Sequence, residues 1–222
     1  MTAILLDIEG TVSDKRFVAE TLFPFARKRI KAFVRDHASD GAVAAALSLM
    51  RAKVGRAEAS AEEIGTELER WIDQDKKEEP LKSLQGLIWK EGYDSGELVS
   101  HIYADVSAAL ERWRKAGKRI AIFSSGSVGA QKLLFSHTAL GDLTPFFSGY
   151  FDLSTGPKFE AASYVKIAKA LDHPPSDVRF YSDAPREVEA ALAAGMIATL
   201  VERDGPIAAN AAFRRIQDFT SE

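Results

Sequence analysis

Short, mostly apolar runs alternate with helical stripes over most of the chain. The runs lie at residues 3–6, 119–123, 150–153, 178–181 and 196–201. Helical spacing of apolar residues follows at 106–113, after Ser127 through Leu134, at 159–171, through Ala194 and at 209–216. Strands that alternate with helices predict βαβ units and a mostly parallel sheet. We therefore expect an α/β fold with a Rossmann-like core.

A long segment after the first run has helical spacing only. Leu22, Phe25, Ala26, Ile30, Phe33 and Val34 form one stripe. Ser60 and Glu63 are spaced as a capping box, which predicts the start of a further helix. We expect residues 17–96 to form an all-helical subdomain inserted after the first strand, and residues 1–16 and 97–222 to form the core.

Composition excludes several kinds of partner without choosing a function. The chain has 222 residues, a formal net charge of −3 and no cysteine. This charge gives no electrostatic reason to expect a nucleic acid or an anionic membrane as partner. No apolar run approaches the ~18 residues of a membrane span, and the first residues do not resemble a signal peptide. We expect a cytoplasmic protein without disulfides.

Polar residues suited to catalysis or to ligand binding follow three of the predicted strands. Asp7 and Glu9 follow the first, Ser124-Ser125-Gly126-Ser127 follows the second, and Asp183 follows the run at 178–181. If these strands are parallel neighbours, all three loops open at one edge of the sheet. Three carboxylates there repel one another unless a cation binds, and Mg²⁺ prefers such hard oxygen ligands. The serine loop, which leads into a helix N-terminus, and Lys158 are suited to an anion such as phosphate.

Each of these features also has a simpler explanation. Asp7 and Glu9 are compatible with an ordinary turn, and serine is common as a helix cap. Asp183 is placed to cap a helix that begins at Pro185, and a lysine such as Lys158 is most often on the surface. The order of the four features along the chain favours the functional interpretation.

That order resembles the four motifs of the haloacid dehalogenase superfamily. The closer resemblance is to the enolase-phosphatase (acireductone synthase) family, because Glu9 stands where most superfamily phosphatases have a second Asp. It extends over roughly the whole chain, through Leu22-Phe23-Pro24-Phe25-Ala26, Leu84-Gln85-Gly86-Leu87-Ile88-Trp89, residues 124–135, Gly156-Pro157-Lys158 and Arg186-Glu187. Val12 to Arg16 and Ala184-Pro185 depart from the family pattern, which affects loop detail and removes no charged group.

The resemblance implies a Mg²⁺-dependent enzyme of methionine salvage that acts on a small phosphate ester. The family enolises 2,3-diketo-5-methylthiopentyl 1-phosphate and then hydrolyses the phosphate to give the acireductone 1,2-dihydroxy-3-keto-5-methylthiopentene. By this resemblance Asp7 is the nucleophile, and Glu9 is the acid and base. The metal is held by Asp7, Asp183 and the backbone carbonyl of Glu9, and one ion per subunit is expected. Lys158 acts in catalysis and in substrate binding.

Ser124, Ser125 and Gly126 are the expected phosphate-binding residues, and the helical insertion is the expected cap. Phe17, Phe23, Trp89 and Tyr93 either line a substrate pocket or pack the helices together. The alternative function is a phosphatase of the same superfamily that acts on another small phosphate ester. A binding protein without activity on the same fold is a further alternative, which the complete set of motifs disfavours. We expect a monomer.

Overall fold

The computed structural model describes residues 2–204 and 213–222. The chain forms two compact units. One consists of Met1–Lys15 and Ser100–Glu222 and is called the core unit below. The other consists of Arg16–Val99 and is called the helical unit.

The core unit contains one sheet in which every strand pair is parallel. Its strands are β1 (Ala3–Leu6), β2 (Arg119–Phe123), β3 (Gly149–Phe151), β4 (Val178–Ser182), β5 (Ile197–Val201) and β6 (Arg214–Ile216), in the order β3-β2-β1-β4-β5-β6. β1 lies between β2 and β4, with Leu6 opposite Ile122 and Tyr181. The residues that follow these three strands therefore meet at the same edge of the sheet, as the sequence predicts.

Helices cover the sheet and bury β1 completely. The core unit contains α6 (Ala104–Lys115), α7 (Val128–Ser136), α8 (Ala161–Ala170) and α9 (Pro185–Ala193). Ile4 and Leu6 belong to one apolar cluster, whereas Ala3 and Leu5 belong to a second. Since successive side chains of a strand point to opposite faces, the two clusters lie on the two faces of the sheet. This double burial explains why β1 is an unbroken apolar run.

The last helix predicted from the sequence is wrong where the structure describes it. Residues 209–212 lie outside the described residues, and Arg214–Ile216 is the strand β6, paired with β5. In β6 Arg214 is exposed and Ile216 is buried, opposite Val201. Three residues are too few to distinguish the two periodicities, so pairing with the neighbouring strand decides the conformation.

The helical unit is built around its own apolar cluster. After α1 (Lys15–Phe17) come a π-helix (Val18–Leu22), α2 (Phe23–Asp36), α3 (Gly41–Val54), α4 (Ala61–Asp73) and α5 (Glu79–Asp94). No strand occurs in residues 16–99, all of which the structure describes. The predicted capping box is confirmed: Glu63 N donates to Ser60 Oγ at 3.2 Å, and Ser60 N donates to the Glu63 carboxylate at 2.9 Å.

Two of the aromatic residues proposed for a substrate pocket take part in packing within the helical unit. Trp89 stacks on Phe23 with ring centroids 6.3 Å apart, and its Nε1 donates to the Leu22 carbonyl at 2.8 Å. Phe17 and Tyr93 are buried. These contacts support the packing interpretation for Trp89 and Phe23.

Candidate active site

Asp7 lies directly after β1 and is only 5% exposed. Its amide donates to the Tyr181 carbonyl at 3.0 Å, which continues the pairing of β1 with β4 by one residue. One carboxylate oxygen, Oδ1, is 2.5 Å from Lys158 Nζ, and the other, Oδ2, is 3.3 Å from the Ser182 hydroxyl. The structure thus joins two of the predicted site residues, Asp7 and Lys158, in a buried ion pair.

Lys158 also contacts a second carboxylate, that of Glu187, which was not among the residues expected from the sequence. Its Nζ lies 2.8 Å from Glu187 Oε2, and its side chain is 7% exposed. Burial lowers the pKa of Lys158, but Asp7 and Glu187 more than offset this effect, so the pKa is raised and the ammonium stays charged. The lysine is therefore a buried cation held between two acids, rather than a surface residue.

Glu187 completes a ring of polar contacts around Asp7. The Ser182 hydroxyl lies 2.9 Å from Glu187 Oε2 as well as close to Asp7, and it accepts from the amide of Ala184 at 3.1 Å. Burial and the charge of Asp7 raise the pKa of Glu187 to about 7, although Lys158 opposes the shift. A signal for Glu187 was present in the sequence: it lies in the first turn of the helix that begins after Asp183, so it stays near the sheet edge.

The turn after Asp7 brings Asp183 to the same edge. The amides of Thr11, Val12 and Ser13 all donate to the Ile8 carbonyl, so the turn is tight. Asp183 N donates to Thr11 Oγ1 at 2.9 Å. Gly10 has a φ of +72°, and a Cβ built on it would lie 2.2 Å from Asp183 Oδ2. Only glycine leaves room for the Asp183 carboxylate here.

The charge of Asp183 is affected by its surroundings. Burial raises its pKa, and the nearby Asp7 raises it further, to about 6, while Lys15 and Lys158 oppose the shift. The two carboxylates thus repel each other at neutral pH. Glu9 lies in the intervening turn with an exposed side chain.

The predicted phosphate loop lies at the same edge, after β2. Ser124 is buried, its amide donates to the Phe151 carbonyl at 3.1 Å, and its hydroxyl accepts from Gly126 N at 3.2 Å. Ser125 lies between them. Ser127 caps α7 by accepting from Ala130 N at 3.3 Å. The simple capping interpretation therefore holds for Ser127, and it leaves Ser124, Ser125 and Gly126 in the loop before the helix.

The carboxylates are suited to a cation, although they do not form an all-side-chain metal site. Within residues 2–204 and 213–222, no group of three or more His, Cys, Asp or Glu side chains is arranged to hold a metal ion. The predicted set needs only two side chains, Asp7 and Asp183, with the third ligand taken from the Glu9 backbone. Two mutually repelling carboxylates, with Asp183 packed directly against Gly10, fit a small hard cation.

The fold and the site together define a hydrolase of the haloacid dehalogenase-like class. The family model described as "Hydrolase: haloacid dehalogenase-like hydrolase" matches residues 1–195. Enolase-phosphatase E1 of Azotobacter vinelandii is 48% identical over 203 residues, which cover 91% of this chain and 89% of the relative. Enolase-phosphatase E1 of Methylococcus capsulatus is 50% identical over 203 residues, with the same coverage of both chains. The chain belongs to the enolase-phosphatase E1 family of haloacid dehalogenase-like hydrolases.

Solved structures agree with this fold. The UTR4 protein (Unknown transcript 4 protein) of Saccharomyces cerevisiae is 33% identical and superposes with a TM-score of 0.85, covering 100% of this chain and 99% of its own. A HAD phosphatase of Thermococcus onnurineus, 21% identical, has a TM-score of 0.63 over 99% of this chain and 94% of its own, which shows the shared fold.

Over residues 2–204 and 213–222, no helix has the length and apolar character that crossing a membrane requires.

Proposed function

We propose that this protein is the bifunctional enolase-phosphatase of methionine salvage. It enolises 2,3-diketo-5-methylthiopentyl 1-phosphate and then hydrolyses the phosphate ester to give 1,2-dihydroxy-3-keto-5-methylthiopentene. The observation that carries the proposal is the agreement with enolase-phosphatase E1 relatives at 48–50% identity over about nine tenths of the chain. The buried contact between Asp7 and Lys158 supplies a physical basis for phosphoryl transfer.

In the phosphatase half-reaction Asp7 is the nucleophile. One of its carboxylate oxygens attacks phosphorus, the bond from phosphorus to the substrate oxygen breaks, and an aspartyl-phosphate forms. Glu9 donates a proton to the leaving oxygen and then takes one from the water that attacks phosphorus, which releases orthophosphate and regenerates Asp7. The exposed position of Glu9, two residues after the nucleophile, supports this role because the acid must meet both substrate and water.

Lys158 orients the nucleophile and reduces charge repulsion. A carboxylate that attacks a phosphate dianion must overcome like-charge repulsion, and the buried ammonium 2.5 Å from Asp7 Oδ1 opposes that repulsion. Glu187 contacts the lysine and Ser182 contacts the aspartate, so both side chains are held in place before substrate arrives. Ser124, Ser125 and Gly126, in the loop before α7, are the proposed phosphate-binding residues; the helix N-terminus supports an anion there.

In the enolase half-reaction Glu9 is the proposed base. It removes the carbon-bound proton next to the diketone, and the electron pair moves to the carbonyl oxygen to form an enolate, which takes a proton from solvent to become the enol. This leaves Glu9 protonated, which is the state it needs as the acid of the phosphatase step. The longer side chain of Glu, compared with the Asp that most superfamily phosphatases have here, motivates the assignment.

The proposed cofactor is one Mg²⁺ ion, held by Asp7, Asp183 and the Glu9 backbone carbonyl. When bound, it neutralises charge on the phosphoryl group and polarises the diketone oxygens. The raised pKa of Asp183, caused by burial and by Asp7, supports a cation at this position. The contact of Asp183 N with Thr11 Oγ1 holds the backbone of Asp183 at this edge of the sheet.

The helical unit, Arg16–Val99, contains the predicted cap of residues 17–96 and is the proposed cap. It is inserted in the chain directly after the turn that carries Glu9, it has its own apolar core, and it contains no strand. A cap would exclude water during phosphoryl transfer and bind the methylthio end of the substrate. The monomeric state and the cytoplasmic location stay predictions.

Turnover of the diketone phosphate tests the proposal against its alternative, a phosphatase for another small phosphate ester. The enzyme is assayed with Mg²⁺ on the diketone phosphate and on a panel of sugar phosphates, with enol absorbance and free phosphate followed separately. We expect both signals from the diketone and slow phosphate release from the panel. Faster turnover of a sugar phosphate, without an enol signal from the diketone, would favour the alternative.

A further inference from the structure

Arg203 lies after β5 and is nearly buried, with its side chain 8% exposed. Its Nη1 lies 2.9 Å from each carboxylate oxygen of Asp105. Its Nε and Nη2 both donate to the Thr11 carbonyl, at 2.9 and 2.6 Å. The guanidinium also lies over the rings of Tyr103 and Phe219, 4.2 and 5.1 Å from their centroids. All three side-chain nitrogens of Arg203 thus donate to two acceptors, the Thr11 carbonyl and the Asp105 carboxylate.

The partners of Arg203 are themselves fixed. Asp105 lies in the first turn of α6 and accepts from the Phe219 amide at 2.8 Å. Tyr103 N donates to the carbonyl of Val12, the residue after Thr11, at 3.0 Å. The arginine therefore connects the start of α6 and the C-terminal segment to the turn behind the proposed nucleophile.

Thr11 links this cluster to the proposed metal ligand. It is fully buried, its carbonyl accepts both bonds from Arg203, and its hydroxyl accepts from Asp183 N. A shift of the Thr11 backbone would move the hydroxyl that holds Asp183, and it would also move the neighbouring turn that carries Glu9. The guanidinium thus reaches the site through the Thr11 carbonyl.

We propose that Arg203 is a positioning residue of the active site, which holds the Thr11 carbonyl and thereby fixes both the turn with Glu9 and the Asp183 backbone. The inference rests on the proposed function, since Glu9 and Asp183 must act there. An arginine is required because its planar fork presents donors to a carbonyl and to a carboxylate at once. A lysine has a single nitrogen and cannot reproduce both pairs of contacts.

The test compares Arg203→Lys with the matched control Arg215→Lys. Arg215 is also a partly buried arginine of the core unit, but it pairs with Glu202, at 2.6 Å, rather than with the turn. Steady-state kinetics are measured on the diketone phosphate and on p-nitrophenyl phosphate, and Mg²⁺ binding is measured by calorimetry. We expect Arg203→Lys to lower kcat at least about tenfold on both substrates, with KM changed less than about threefold, and to weaken Mg²⁺ binding. Arg215→Lys stays within about twofold of wild type in kcat, because its ion pair lies outside the site.

A structural role alone would produce a different result. If Arg203→Lys lowers the melting temperature but leaves kcat and Mg²⁺ binding within about twofold of Arg215→Lys, the positioning role is refuted. If the wild type is active on p-nitrophenyl phosphate but not on the diketone phosphate, the proposed substrate fails while the arginine comparison remains valid.

Thr11 variants keep the proposal testable if Arg203→Lys does not fold. Thr11→Val keeps the shape of the side chain and removes the acceptor for Asp183 N, whereas Thr11→Ser retains it. We expect Thr11→Val to lose kcat and Mg²⁺ affinity and Thr11→Ser to keep most of both. Where both single variants fold, the double variant should lose less than the product of their effects, because they interrupt the same connection. Equal losses in Thr11→Val and Thr11→Ser, or a purely multiplicative double variant, would contradict the proposal.

Discussion

Gly10→Ala is a small substitution that should disable the site through one contact. A Cβ at residue 10 would lie 2.2 Å from Asp183 Oδ2 and 2.6 Å from its Cγ, compared with at least 3.4 Å for ordinary contact. The carboxylate must therefore retreat by about 1.2 Å, the difference between 3.4 and 2.2 Å. A displacement of this size at a catalytic group reduces rates by roughly 10²-fold. We expect kcat to fall by about that factor and Mg²⁺ binding to weaken.

The same substitution also has a cost in stability that must be separated from the effect on the site. Alanine at the φ of +72° that Gly10 adopts costs about 1–2 kcal/mol, which lowers the Tm of a chain of this size by roughly 2–8 °C. Gly117 provides a matched control, because its φ is +70° and a Cβ added to it would meet nothing within 4 Å. Gly117→Ala should therefore lose a similar amount of stability and retain its activity.

The two variants are compared by steady-state kinetics, by calorimetric titration with Mg²⁺ and by thermal unfolding, which separates the effect on the site from the effect on stability. Similar losses of Tm and very different losses of kcat are expected. A Gly10→Ala enzyme with kcat within about threefold of Gly117→Ala would refute the reasoning, because Asp183 would then tolerate a shift that the proposed role forbids.

Three further predictions concern the charged groups. Lys158→Met leaves the Asp7 and Glu187 carboxylates buried without their cation, so unfolding should require about 3–5 kcal/mol less in denaturant titrations; unchanged stability would contradict a stabilising ion pair. Asp183 and Glu187 have pKa values raised by burial and by Asp7 to about 6 and about 7, so the metal-free protein should lose stability as pH rises from about 4 to 7. Mg²⁺ should consequently raise Tm more at pH 8 than at pH 5, and equal increments would refute this sign. Glu9→Gln should abolish the enol signal, and a wild-type rate of enolisation would exclude Glu9 as the base.

The parallel core was predictable because burial on both faces leaves a clear pattern. β1 is an unbroken apolar run and β2, β4 and β5 are mostly apolar, and each begins and ends within a residue or so of its predicted bounds. The helical unit was predictable for a related reason: its stripes at helical spacing pack into one apolar cluster. Where the run is three residues long and lies at the sheet edge, as in β6, the pattern does not separate strand from helix.

From the sequence it was predictable that Asp7 and Lys158 belong to one site at the edge of the sheet, but not that they are in direct contact. The distance of 2.5 Å between Asp7 Oδ1 and Lys158 Nζ depends on how the loop after β3 folds back over the sheet, which periodicity does not determine. Glu187 was missed because its position in the first turn of the helix after Asp183 is a weak signal, since a glutamate is ordinary there. Its role becomes visible only when Lys158 and Ser182 are found beside it.

Arg203 illustrates a further limit of prediction from the sequence. Its partners Thr11 and Asp105 lie 192 and 98 residues away in the sequence, and neither separation forms a motif. Residues that bind a backbone carbonyl are especially hard to predict, because the partner's side chain gives no signal. The residues that hold the site in place, such as Arg203 and Asp105, are therefore found only from the structure.

Phosphate release by Asp7→Asn is the sharpest test of covalent catalysis at this site. The amide keeps the size of the side chain and removes the nucleophilic carboxylate, so no aspartyl-phosphate can form. In an assay that follows enol absorbance and free phosphate from the diketone phosphate in the presence of Mg²⁺, the wild type should produce both signals. We expect Asp7→Asn to release essentially no phosphate. Release at a rate near that of the wild type would show that Asp7 is not the nucleophile.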